Sequence, residues 1–109
     1  MSDFETIPNV LLADTHGGFG PALNSALVRA RELGLHVNST TGGHHAPHSY
    51  HYRGRAIDFG GRPAAMRQFY REMSRTHPTE LFYDPMGGIK HGRQIGAIGG
   101  HGNHVHLAY

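Results

Sequence analysis

Apolar side chains first fall into register after Pro21. Leu23, Ala26, Leu27, Ala30 and Leu33 recur at steps of three and four, with Asn24, Arg31 and Glu32 on the opposite side. That spacing predicts an amphipathic helix opened by the proline and ended by Gly34. A second helix is predicted from Pro63 to about Thr76, with Met66, Phe69, Tyr70 and Met73 as its apolar side and Pro78 as its stop. Between and after the helices the period changes to two. Short strands are predicted at Leu35 to Thr41, Ala56 to Phe59, Glu80 to Tyr83 and His104 to Tyr109.

The connecting stretches read differently. Residues 1 to 18 show little periodicity and are expected to form an N-terminal arm, with a short extended piece at Val10, Leu11 and Leu12. Gly42 to Tyr52 is rich in Gly, His, Pro and Ser and reads as loop, as does Met86 to Gly102, with at most one weak strand near Gln94 and Ile95. Helices and strands do not alternate as a regular βαβ series. The expected fold is therefore α+β, a small antiparallel sheet with two helices packed on one face, in a single domain spanning residues 1–109.

Alternation also sorts the strand residues by face. In the last strand Val105, Leu107 and Tyr109 point to the core, and His104, His106 and Ala108 to the other side. In Ala56-Ile57-Asp58-Phe59, Ile57 and Phe59 are the core residues and Asp58 faces away with Ala56.

Composition narrows the chemistry. The chain has no cysteine, which removes disulfides and thiolate metal sites. Its formal net charge is +2, and its basic residues are scattered rather than interleaved with aromatic ones, so a nucleic-acid partner is not expected. No signal peptide and no apolar run of membrane-spanning length are visible, so no membrane partner is expected either. The unusual feature is the presence of 11 histidines. They cluster at His44, His45, His48 and His51, and again at His101, His104 and His106. Histidine is the commonest side-chain metal ligand. His51, Asp58 and His106 would together offer two nitrogens and one carboxylate oxygen. With a water, that is the donor set of a catalytic zinc site, and Gly54 would turn the chain between the first two.

Two segments carry a family resemblance. Ser49-Tyr50-His51-Tyr52-Arg53-Gly54-Arg55-Ala56-Ile57-Asp58 resembles the Ser-x-His-x-x-Gly-x-Ala-x-Asp signature of the LAS zinc peptidases. That group includes D-alanyl-D-alanine carboxypeptidases, L-alanyl-D-glutamate endopeptidases, murein endopeptidases and the Hedgehog signalling domain. His101-Gly102-Asn103-His104-Val105-His106 is similar to the His-x-x-His-x-His of the murein endopeptidases. The whole also resembles peptidase domains of phage endolysins and tail tape-measure proteins.

The resemblance implies a zinc cofactor held by His51, Asp58 and His106 on the face opposite the helices. His104 would be the catalytic base and His101 an accessory active-site residue. Relatives often place an arginine after a Ser/Thr-Gly turn to bind substrate. Here Thr41-Gly42-Gly43 is followed by His44-His45, so Arg53, Arg55 or His44 is expected in that role. The implied activity is hydrolysis of a peptidoglycan stem-peptide or cross-link amide by metal-activated water. The protein would be a monomer acting on the bacterial cell wall, as a phage lysin or virion tail component.

The alternative is a catalytically inactive zinc-bearing module of the same fold. A histidine-rich metal buffer would need no carboxylate at a fixed spacing. Ser49 is read as a hydrogen-bonding loop residue, not a nucleophile. Glu80 is read as an ordinary exposed strand end in preference to a carboxylate backing a histidine.

Overall fold

The computed structural model describes residues 20–39 and 55–109. The arm at 1–18 and the histidine loop from Gly42 to Tyr52 lie outside them. Helix α1 covers Pro21–Glu32, followed by strand β1 at His36–Ser39. Strand β2 is Ala56–Gly60, and helix α2 is Pro63–Met73. Then come β3 (Glu80–Tyr83), a 3-10 turn (Asp84–Met86), β4 (Gly87–Lys90), β5 (Arg93–Ile95) and β6 (Val105–Ala108). Each helix has proline in its first turn, where the missing N–H costs nothing.

The six strands form one antiparallel sheet in the order β1-β2-β6-β3-β4-β5. The α+β expectation therefore holds, with both helices on one face. Leu23, Ala26, Leu27 and Ala30 of α1 and Met66, Phe69, Tyr70 and Met73 of α2 bury against Ile57, Phe59, Leu81, Tyr83, Val105 and Leu107. The Phe59 and Phe69 rings tilt together at 4.8 Å between centroids. The Arg29 guanidinium also grips Glu72, at 2.6 and 2.8 Å, and so joins the two helices at their surface.

The Gly-rich stretch after Met86 departs from expectation. Much of it is a β-hairpin, β4–β5, with Lys90 opposite Arg93 and His91-Gly92 as a two-residue turn. Both turn residues have positive φ, 51° and 81°, as the tight turns of such hairpins require. Gly87 and Gly88 carry no alternation signal, yet they pair with Tyr83 and Phe82 of β3. A Cβ on Gly88 would stand 3.0 Å from the Phe82 ring and 3.2 Å from the Leu81 carbonyl oxygen. Close approach of the neighbouring strand explains a glycine there better than a loop does. α2 also ends three residues short of Thr76, and β6 begins at Val105, one residue past His104.

Candidate functional site

The strands that bury Ile57, Leu81 and Leu107 toward the helices turn the intervening residues to the opposite face. Asp58 of β2 sits opposite His106 of β6, and His106 sits opposite Phe82 of β3. Glu80 lies one step along β3 on the same face. Register alone therefore converges two carboxylates, an imidazole and an aromatic ring.

His106 is 7% exposed. Its Nδ1 lies 3.0 Å from Asp58 Oδ1 and its Nε2 lies 2.8 Å from Glu80 Oε1. An ionised carboxylate can only accept, so with both carboxylates ionised both ring nitrogens donate and the ring is an imidazolium. Burial pushes the His106 pKa down, but hydrogen bonds and charge from Asp58 and Glu80 outweigh it and the net direction is up. The same bond holds the Glu80 carboxyl below its ordinary value. Phe82 stacks on His106 at 5.2 Å and 12° between planes, which fixes the remaining ring freedom.

Two further imidazoles border this centre. His101 lies 4.9 Å from the His104 ring and 5.8 Å from the His106 ring, centroid to centroid. Its position is set by Asp84 in the turn after β3. The Asp84 carboxylate accepts from the Gly99 and His101 N–H groups at 3.2 and 2.9 Å, and the Asp84 N–H donates to the His101 carbonyl at 2.8 Å. Those backbone bonds hold the Asp84 carboxyl below its usual range. His101 Nδ1 donates to the Gly99 carbonyl at 2.9 Å, and His104 Nδ1 to Asn103 Oδ1 at 2.9 Å. For His104, burial lowers the pKa, and neighbouring His101 and His106 add to that against the opposing pull of Asp58 and Asp84. His104 therefore stays neutral to lower pH than a free imidazole, and in the neutral ring the lone pair is on Nε2.

His101, His104, Asp58 and His106 thus come together as their positions in the sequence imply. His51, Arg53 and His44 lie outside the described residues. Arg55 is at the start of β2, where its Nε donates to the Tyr109 carbonyl at 2.8 Å. Glu80 is a correction. It is not an exposed strand end but one of the two carboxylates that hold His106, and its place opposite Ala108 in the pairing of β3 with β6 puts it there. Asp84 was missed altogether. Asp-Pro after a strand was the available signal, a turn with a carboxylate free to bind backbone N–H groups.

The zinc assignment is also corrected. Among the described residues, no group of three or more His, Asp or Glu side chains is arranged to hold a metal ion. The donor chemistry gives the reason. A metal ligand must present a nitrogen lone pair, whereas both nitrogens of His106 are engaged by carboxylates and Asp58 is one of those carboxylates. The described residues do not fit a zinc cofactor. The readings built on one, a zinc metallopeptidase of LAS or endolysin type and a zinc-bearing module, are withdrawn with it. Comparison with protein-family models, curated proteins and solved structures gives no match to this chain.

Proposed function

We propose that the open face of the sheet is a recognition surface for peptides rich in N–H donors. One observation carries this reading. His101 and His104 each turn Nδ1 to an oxygen of their own loop, which leaves Nε2 of each outside those bonds, beside a His106 flanked by two carboxylate acceptors. Such a face offers acceptors and negative charge, and it suits amide N–H groups and ammonium groups. Peptidoglycan stem peptides have both and are the proposed partner class. The reading requires recognition only, with no bond broken.

The experiment is a chemical-shift titration of the protein with stem-peptide fragments whose side-chain amine is free or acetylated. Saturable shifts at His101, His104 and Phe82 are expected with the free amine. Acetylation should weaken binding by about tenfold, the worth of one charge-assisted hydrogen bond. Equal binding of both forms, or no shift at these residues, overturns the proposal.

A further inference from the structure

A second polar concavity lies away from that face, between the end of α2 and the β4–β5 hairpin. It encloses about 460 Å³ and is bordered by Ser74, His77, Pro78, Thr79, Ile89, His91, Gly92 and Gln94. That volume is in the range of small-molecule sites. Its two histidines are also the two non-glycine residues with positive φ among the described residues, 57° at His77 and 51° at His91. Left-handed backbone is uncommon outside glycine, and histidine is, with asparagine and aspartate, among the side chains that adopt it most often. The two positions belong to different turns, the α2–β3 connection and the hairpin turn. They are tied by the His91 N–H, which donates to the Thr79 carbonyl at 2.7 Å. Both turns therefore carry a histidine at the rim of one cavity.

The lining also has a chemical sense. It contains no carboxylate. Glu80, the adjacent acid in the chain, is bonded to His106. Arg75 follows Ser74, and Lys90 and Arg93 flank the hairpin turn. Imidazole N–H groups and the Gln94 amide supply donors, while Ile89 and the buried Pro78 supply an apolar wall. We infer that this cavity binds a small carboxylate with an apolar body, of about dipeptide size, between His77 and His91. This site is independent of the open-face reading.

The test is a backbone-amide titration with N-acetyl-leucyl-alanine as the free acid and as its C-terminal amide. The acid should shift Thr79, His91 and Gln94 saturably, and the amide should bind about tenfold more weakly. N-acetyl-leucine alongside separates a free small acid from a peptide C-terminus, and preference for either supports the carboxylate assignment. The His77→Asn/His91→Asn double variant keeps residues suited to positive φ and should lose binding by about tenfold or more. If that variant melts early, the two single variants carry the comparison. Equal affinity for acid and amide, no saturable shift, or undiminished binding in the folded variants overturns the inference. Shifts at His101 and His104 in place of the cavity amides would overturn it too.

Discussion

The two faces of one sheet are built on different principles. Toward the helices, Ile57, Phe59, Leu81, Val105 and Leu107 are fully buried among many apolar neighbours. On the other side, one imidazole is held by two carboxylates and a stacked ring. The first face is redundant, since dispersion and burial are shared over many contacts. The second depends on a few directional, titratable bonds. A residue's consequence therefore follows from the side of the strand it occupies, although the backbone is common to both.

The largest expected effect strikes the redundant face. Phe59→Ala removes a fully buried ring packed on Phe69 and should cost about 3–5 kcal/mol in urea unfolding. His101 and His104 shifts should stay nearly unchanged in the folded fraction. Were they to move as far as the core resonances, the two faces would not be separable.

Glu80→Ala is the matching cut on the open face. It leaves one N–H of a buried imidazolium without its acceptor, for a loss of about 1–3 kcal/mol. A direct NMR titration should also show the His106 pKa falling. An unchanged His106 titration would break the assignment of Glu80 as its partner.

Gly88→Ala probes how the faces meet. The new methyl group would press on the Phe82 ring and the Leu81 carbonyl, at a cost of about 1–3 kcal/mol. The displaced ring should move the His106 shifts as well. Loss of stability with His106 unmoved would show that Phe82 does not position the imidazole.

The pH dependence should come mainly from the open face. The His106 pKa is raised above 6.5 in the folded chain, so its contribution is fully present below pH 6.5 and is lost as pH rises through the raised value. Glu80 is lowered below 4.5, so its contribution is present above pH 4.5 and is lost as pH falls. Stability measured by thermal melts should therefore be greatest between these limits, and Glu80→Ala should flatten the curve. Glu72, lowered to about 2 by the Arg29 hydrogen bond, adds to the acid limb only. Glu72→Gln should be the mildest change of all, and it should vanish in high salt because the pair is at the surface.

The helical period and the strand alternation were legible because burial repeats along the chain. Leu23 to Ala30 and Met66 to Met73 announce their own faces, and so do Ile57 and Phe59. The hairpin at Gly87 to Ile95 was hidden because its glycines answer to a neighbouring strand, not to a periodic core. Asp58 and His106 could be picked out by position. Their direct bond could not, because it depends on β2 lying beside β6 in one register. Glu80 required the further fact that β3 flanks β6 on the other side. The metal reading failed at this point, since spacing along a chain does not say whether two side chains turn to a shared ion or to each other.

Asp84 gives His101 an address that does not depend on the chain between them. The carboxylate and N–H of one residue hold the far end of the loop that leaves β5 after Ile95 and returns at Gly99. Insertions between Ile95 and Ile98 would add only a slow entropic cost, about 0.6 kcal/mol for each doubling of loop length. The loop is thus a place where new surface can be grafted beside the histidines while their own coordinates stay fixed.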